Sequence, residues 1–242
     1  MKKYAPIIVG LVMLTAIFIA VLAMGNVFSG GNSNTGNSLS PSMTLDNPRR
    51  SPLIVTLTFM TLPSGEGSLK YPTLSGGAED KKMNLSIKSE AAIFADSETK
   101  AQTVNCEIYY NDNGLFSFAL YSYDSIGNKI GVLALTYNCD TGTKLLLSDI
   151  MANQNPSWHA GIANILNYKA RELVLLSEIK PLDDSRLFYI TGTSIVFVYR
   201  LYEIATYSAG CIEIHIDYNE LAAFLGPESP ILRIKNLVLR ME

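Results

Sequence analysis

Residues 194–221, SIVFVYRLYEIATYSAGCIEIHIDYNEL, predict two strands of different character on either side of an unusual corner. Residues 195–198 are a continuous apolar run, which is typical of a strand covered on both faces. Apolar and polar residues then alternate strictly from Ile212 to Asp217, which predicts a strand with one buried and one wet face. The segment therefore predicts sheet structure on both sides of the corner.

The remaining segments predict an α+β domain over residues 53–225, with a mainly antiparallel sheet packed against two long helices. The helices are expected over 79–94 and 155–177, where apolar residues recur at helical spacing. A shorter helix is expected over 218–225. Strands are predicted at 53–62, 102–110, 115–123, 131–138, 187–191 and 194–200, in addition to the strand after the corner.

The first 24 residues predict a short cytoplasmic stub followed by a transmembrane helix. Lys2 and Lys3 precede an uncharged apolar run from Pro6 to Met24. This run is about 19 residues long, which nearly spans the ~30 Å core of a bilayer. The lysines favour a cytoplasmic N-terminus and an extracytoplasmic remainder, so a single-pass protein of the cell membrane is expected. A cleaved signal peptide is the alternative, although its apolar region is usually shorter.

Two further segments flank the predicted domain. Residues 25–52 are rich in Gly, Ser and Asn, which predicts a flexible linker. Residues 226–242 form a C-terminal extension, for which an edge strand is favoured over a basic amphipathic turn.

Composition argues against several classes of protein. Two of the 19 basic residues precede the apolar run, so the rest of the chain carries fewer positive charges than its 22 acidic residues. A mildly acidic domain is a poor nucleic-acid binder, because phosphate contacts need clustered Lys and Arg. Three cysteines and two histidines are too few for a disulfide scaffold or a zinc ribbon.

The sequence predicts neither a catalytic site nor a cofactor. Asp140-Thr141-Gly142 matches the triplet of aspartic proteases, but a single copy lacks the second carboxylate, and the three residues also suit a turn. A metal held by His215 with Cys211, Glu213 or Asp217 is the alternative to a solvated strand face. The solvated face is favoured, because no His-rich partner segment exists.

Ten residues around the corner carry a resemblance to a known domain. The motif Tyr-Glu-Ile-Ala-Pro-Tyr-Ala-Ala-Gly, a strand and then Tyr-Ser-Glu-Leu closes the extracytoplasmic domain of the lysozyme-sensing anti-sigma-V factor, and a related domain precedes the catalytic part of some peptidoglycan deacetylases. The chain resembles this family from about Tyr71 to Leu225, with Thr206 in the place of the proline. The matching residues are Tyr202, Glu203, Ile204, Ala205, Tyr207, Ala209, Gly210, Tyr218, Glu220 and Leu221.

The resemblance implies an extracytoplasmic binding or sensing domain of the cell envelope, with a lysozyme-like protein or cell-wall glycan as partner. About five residues precede the predicted span, too few for a sigma-factor-binding segment. Tyr202 and Tyr207 are the predicted partner contacts, because aromatic side chains with polar tips favour interfaces. The alternative is an accessory domain or an enzyme that acts on peptidoglycan or another wall polymer.

Overall fold

The computed structural model describes residues 52–62, 65, 67–98, 100–151 and 157–234. The predicted membrane anchor and nearly all of the predicted linker lie outside the described residues, as do the last eight residues of the C-terminal extension. None of the helices within the described ranges combines the length and apolar character that a bilayer crossing requires.

Within these ranges the chain forms nine strands in two sheets, so the predicted mixture of helices and mainly antiparallel strands is confirmed. The expectation of one sheet is wrong. The six-stranded sheet has the order β1 (Ile54–Thr61), β2 (Ser68–Ser75), β3 (Thr103–Asp112), β4 (Leu115–Tyr123), β5 (Lys129–Asn138) and β6 (Thr143–Lys144). The three-stranded sheet consists of β7 (Phe188–Ile190), β8 (Ser194–Tyr199) and β9 (Ile212–Asp217).

Four α-helices lie within the described residues. They are α1 (Ala78–Ser97), α2 (Leu147–Ile150), α3 (Trp158–Lys169) and α4 (Tyr218–Leu221), with 3-10 turns at Ala170–Glu172, Tyr207–Ala209 and Pro230–Arg233. The last of these turns occupies the start of the extension, where the sequence favours a strand. Its Arg233 forms an ion pair with Asp140, 2.6 Å away, in the turn between β5 and β6.

The six-stranded sheet contains the predicted antiparallel meander, β3–β4–β5, with a tight Asn113-Gly114 turn in which both residues have positive φ. The β1–β2 ribbon joins this meander through a parallel pairing of only two residue pairs between β2 and β3. Helix α1 covers β2, and the Asn84 side chain of α1 bonds both the N–H and the carbonyl of Leu74 at 2.8 Å. The helix therefore supplies the hydrogen-bond partners of Leu74 on that edge of β2.

The three-stranded sheet follows the pattern of its sequence. β8 is buried along its whole length and pairs antiparallel with β9. On β9, Ile212, Ile214 and Ile216 are buried while His215 and Asp217 are exposed, as the alternation predicts. The face is only partly solvated, however, because Glu213 is half-buried and accepts a hydrogen bond from the Tyr189 hydroxyl at 2.9 Å.

The two sheets are joined by buried polar contacts as well as apolar packing. The Ser117 hydroxyl of β4 accepts a hydrogen bond from the backbone N–H of Ile190 in β7 at 2.9 Å. Nearby, the rings of Tyr109 and Tyr189 stack with centroids 3.9 Å apart, and the Tyr109 hydroxyl lies 2.7 Å from that of Tyr121. These contacts hold the edge strand β7 against the face of the larger sheet.

The second predicted long helix is wrong in length. α3 ends at Lys169, and the following 3-10 turn ends at Glu172, well before residue 177. Leu173 and Leu176 fit the helical spacing but are exposed. The backbone leaves the helix because Leu175 forms a bridge with Ala205 and the Leu176 N–H bonds the Ile204 carbonyl at 2.8 Å. Leu175 and Leu176, which the helical spacing of apolar residues assigns to the helix, therefore pair with the corner instead.

Candidate functional site

A long connection from Leu173 to Arg186 pairs with the corner, residues 200–211 between β8 and β9, and is fixed at several points. The Asn167 side chain of α3 bonds both the carbonyl and the N–H of Ile179, at 2.9 and 2.8 Å. The Leu182 N–H bonds the carbonyl of His159 at 3.2 Å, and the Leu182 carbonyl contacts the His159 ring nitrogen Nδ1. Because the connection is tied to α3 at both Ile179 and Leu182, it forms a defined wall.

A cleft of about 390 Å³ lies between this wall, the end of β8 and the corner. Its lining combines an apolar floor with five charged side chains. The lining residues are Ser177, Glu178, Ile179, Lys180, Pro181, Leu182, Asp183, Arg186, Tyr199, Glu203 and Ile204.

Arg186 is the central charged side chain of the cleft. Its guanidinium forms an ion pair with Glu203, donates to the Val198 carbonyl at 3.2 Å and lies over the Tyr199 ring, 4.4 Å from the ring centroid. The second oxygen of Glu203 accepts the backbone N–H of Arg200 at 2.8 Å. Arg186 and Glu203 are thereby held in place, and their charges offset each other.

Tyr199 is the unusual residue of the cleft, because its hydroxyl is buried without a hydrogen bond. The side chain is 2% exposed, and its hydroxyl has no hydrogen-bond partner among the described residues. Burial raises the pKa of Tyr199 to about 12, while Arg186 lowers it and Glu203 raises it. Tyr199 lines the cleft beneath the Arg186 guanidinium, while its hydroxyl oxygen is fully buried.

The corner presents an aromatic pair on the adjacent surface. Tyr202 is 65% exposed and Tyr207 is 48% exposed, and their ring centroids lie 5.6 Å apart. Tyr202 has a φ of 62°, a left-handed backbone conformation that a bulky residue rarely adopts. Val174 and Leu176, both exposed, flank the bridge residue Leu175 beside the corner. We call Val174, Leu176, Tyr202 and Tyr207 the corner patch.

The other candidate residues of the sequence lie in surroundings that suit structural roles. His159 stacks on Trp158, with ring centroids 3.7 Å apart. Asp140 and Gly142 lie in the β5–β6 turn, where Gly142 has a φ of 63°. Burial raises the pKa of the Cys106 thiol to about 12 and also raises that of Cys211. Among the described residues, no group of three or more His, Cys, Asp and Glu side chains is placed to hold a metal ion.

The sequence motif draws attention to Tyr202 and Tyr207, whose role as partner contacts stays a prediction, but not to the cleft beside them. Arg186 and Lys180 lie in a segment without periodicity, and Tyr199 reads only as the end of a buried strand. Arg186 and Tyr199 are 13 positions apart, so no local pattern links them. The one available signal is the alternation of charges in the connection, which carries Glu178, Lys180 and Asp183 near Arg186.

Comparison with known proteins identifies a domain but no activity. Residues 147–219 match the family model described as "Protein of unknown function (DUF3298)". A DUF3298 domain is therefore present, and it runs from α2 through the cleft and the corner to the start of α4. No curated protein matches the chain.

Two solved structures are similar to the chain. A DUF3298 family member from Bacteroides fragilis has a TM-score of 0.50 and 14% sequence identity, covering 76% of this chain and 96% of its own. A DUF3298 family protein from Pseudomonas aeruginosa has a TM-score of 0.49 and 20% identity, covering 76% of this chain and 97% of its own. The first likeness shows the fold alone. The resemblance to the anti-sigma-V and deacetylase domains stays a prediction.

Proposed function

We propose that the protein is a binding or sensing domain of the cell envelope, held at the outer face of the membrane by residues 1–24. Its partner is a wall-acting protein of the lysozyme kind, which docks on the corner patch. The proposal rests on the sequence resemblance at residues 202–221 and on one structural observation, the exposed aromatic pair of Tyr202 and Tyr207, in which the backbone of Tyr202 is strained.

The backbone of Tyr202 supports a functional role for its side chain. A left-handed conformation costs an L-residue about 1–2 kcal/mol relative to a permissive residue such as glycine. The Tyr202 side chain does not recover this cost by burial, because most of its surface is exposed. Strained backbone conformations cluster at ligand-binding sites, where they position a side chain to contact the ligand.

The composition of the corner patch suits protein docking. Tyrosines supply large contact areas with few rotatable bonds, and they are enriched at the centres of interfaces. Exposed aliphatic side chains at Val174 and Leu176 extend the apolar surface. The acidic chain, with a formal net charge of -3 at pH 7, favours a basic partner.

The carboxylates of the cleft favour binding over hydrolysis of a wall polymer. Both oxygens of Glu203 are engaged, one by Arg186 and one by the Arg200 N–H. Asp183 accepts from the hydroxyl and the N–H of Ser185, which lowers its pKa. General acid catalysis needs a carboxyl group with a raised pKa, so these two groups suit fixed structural roles.

The test is titration of the full chain with lysozyme by isothermal calorimetry. We expect a dissociation constant below ~100 µM, and a loss of at least tenfold in affinity in Tyr202→Ala and Tyr207→Ala. Phe59→Ala is the matched control, because Phe59 is 66% exposed on β1, outside the corner, and its removal leaves binding unchanged. Absence of binding at ~100 µM, or equal losses in all three variants, contradicts the proposal.

The membrane placement has a separate test. Protease treatment of intact cells removes the domain if it lies outside the membrane. Degradation only after lysis would contradict this placement.

A further inference from the structure

The outer edge of β1 is the longest sheet edge that the described part of the chain leaves unpaired. The six-stranded sheet ends in β1 on one side and in β6, only two residues long, on the other. β1 pairs with β2 along its whole length, without a shift in register. The backbone groups on its other side pair with no described strand. A row of such groups is a ready template for another strand.

The features that usually protect a sheet edge are missing from β1. Natural edges are protected by charged side chains, by proline, by bulges or by short strands. Residues 53–62, LIVTLTFMTL, contain no charge and no proline. By contrast, β6 and β7 have two and three residues, and β9 carries Glu213, His215 and Asp217. Among the edges of the two described sheets, β1 is therefore the one suited to pairing.

β1 also exposes apolar side chains beside this edge. Leu57 and Phe59 lie two positions apart on one face of the strand, and they are 44% and 66% exposed. Ile54, at the start of the strand, is 69% exposed. Lys70, whose ammonium lies 5.6 Å from the centroid of the Phe59 ring, stands on β2, one strand behind the edge. Covering the three apolar side chains would remove apolar surface from water, which favours association.

The edge is held in place within a single chain. The Asn111 side chain of β3 bonds both the N–H and the carbonyl of Leu53, at 2.8 and 2.9 Å. Further along the ribbon, the Thr58 hydroxyl lies 2.6 Å from that of Thr73 on β2. When two edges of this kind pair, neither has to be ordered first, so little conformational entropy is lost. This favours a second copy of β1 over a disordered segment as the partner.

A second copy fits the edge in one antiparallel register. An interface between two copies on a two-fold axis must be complementary to itself. If the axis passes through Thr58, Leu57 of each copy lies opposite Phe59 of the other. Directly opposite side chains are close enough to pack, so the exposed residues cover one another. The flanking pairs bring no charges together, because residues 53–62 have none.

Two other segments of the same chain fit the edge less well. Residues 25–52 lead into β1, but they are rich in Gly and Asn, which are depleted in strands. Residues 235–242, KNLVLRME, carry three charges in eight positions, for which β1 offers no opposite charge.

We infer that two copies of the chain associate through β1, which pairs antiparallel about Thr58 and joins the two six-stranded sheets into one. The paired strands span about 27 Å, at a rise of ~3.4 Å for each residue. One strand pair is a small interface beside the ~1,600 Å² of a typical stable complex, so the dimer is weak, with a dissociation constant of roughly 1–100 µM. This association is independent of the proposed docking at the corner patch.

The experiment is sedimentation equilibrium of the full chain, in a density-matched mild detergent, from ~1 to ~300 µM. We expect a monomer–dimer equilibrium. Leu57→Lys and Phe59→Lys each place two positive charges beside the axis and weaken the dimer at least roughly tenfold. Both side chains are exposed in the single chain, so the fold is kept.

Leu85→Lys is the matched control for these variants. Leu85 is 73% exposed on α1, so its replacement leaves the dissociation constant of the dimer unchanged. A chain that stays monomeric at ~300 µM overturns the inference, as does an equal effect of all three lysine variants.

A disulfide tests the register. In the dimer Thr58 lies opposite itself, with Cα atoms ~4.5–5.5 Å apart, which suits a disulfide. Under oxidation by air and copper phenanthroline, Thr58→Cys forms a covalent dimer at least roughly fivefold faster than Thr56→Cys, whose two copies lie ~14 Å apart. The parent chain, with its native cysteines, gives the baseline. Equal crosslinking at both positions indicates random collision and overturns the inference.

Two further variants separate this inference from its alternatives. Deletion of residues 235–242 leaves the dimer unchanged, and dimerisation only after this deletion would show that the tail covers β1 and overturn the inference. Phe59→Lys leaves the titration with lysozyme unchanged, whereas Tyr207→Ala removes docking at the corner patch and leaves the dimer intact. The two proposals therefore fail separately.

Discussion

The left-handed backbone of Tyr202 makes a sharp prediction about stability. Replacing a residue by glycine rather than alanine normally destabilises a protein, by about 0.5–1 kcal/mol, because glycine loses more conformational freedom on folding. With a φ of 62°, Tyr202 lies where an L-residue is strained by about 1–2 kcal/mol and glycine is not. We therefore expect Tyr202→Gly to be more stable than Tyr202→Ala by about 0.5–1 kcal/mol.

Tyr207 provides the matched control for this comparison. It is also exposed and belongs to the same aromatic pair, but it lies in a 3-10 turn, where φ is negative. All four variants, with glycine or alanine at either position, lose the contact between the two rings, so that contact cancels in the comparison. At Tyr207 the usual order holds, with alanine more stable than glycine by about 0.5–1 kcal/mol.

The assay is urea unfolding of the four variants, followed by far-ultraviolet circular dichroism. The glycine–alanine difference at position 202, minus that at position 207, is expected to be about 1–2 kcal/mol. If alanine is the more stable residue at both positions by the same amount, Tyr202 is unstrained, and the argument that its conformation is kept for binding loses its basis.

Three further predictions concern the framework around the site. Gly142→Ala is expected to destabilise the fold by at least ~1 kcal/mol, because φ is 63° and a Cβ would meet the Glu79 carbonyl oxygen at 2.7 Å. Gly192→Ala is the control: a Cβ on Gly192 would meet no atom within 4 Å, so the substitution is expected to be neutral or stabilising in the same urea assay. Ser117→Ala leaves the Ile190 N–H without its acceptor between the sheets, which costs about 1–3 kcal/mol, whereas Ser208→Ala on the surface stays within ~0.5 kcal/mol. Burial raises the pKa of Tyr137 from 10.0 to about 12, so the folded state favours the neutral phenol, and this contribution to stability is lost as the pH rises from about 10 to 12. The unfolding free energy should therefore decline less over that range in Tyr137→Phe than in the parent protein. An identical decline in both would contradict the raised pKa of Tyr137.

Local patterns were sufficient to predict seven of the nine strands, all except β2 and β6, but not the grouping of the strands into sheets. Alternation along β9 and the apolar run of β8 report which faces are covered, and both are confirmed. The division into two sheets depends on contacts between distant residues, such as Ser117 with the Ile190 N–H, which leave no period in the sequence. The predicted length of α3 is wrong for a related reason: the bridge between Leu175 and Ala205 outweighs the helical spacing of the apolar residues.

The candidate site, like the fold, could be predicted only where its residues belong to one continuous segment. Tyr202 and Tyr207 belong to a continuous motif, so sequence reasoning could single them out, although their role stays a prediction. The cleft is formed by a connection without periodicity and by the end of a strand, and the contact of Arg186 with Tyr199 appears only after folding. Glu213 shows a similar limit: alternation assigns it to the wet face, but Tyr189 and Lys129 draw it into the contact between the sheets.

The short parallel joint between β2 and β3 has a consequence for dynamics. Strand pairing links the β1–β2 ribbon to the meander through only two residue pairs. The other hydrogen bonds at the ribbon come from two side chains, Asn84 of α1 to Leu74 and Asn111 of β3 to Leu53. A unit held in this way can open before the whole protein unfolds, since its opening breaks few inter-strand bonds. Backbone amides of β1 and β2 should therefore exchange with deuterium together, and sooner than those of β4, which is flanked on both edges by long antiparallel partners.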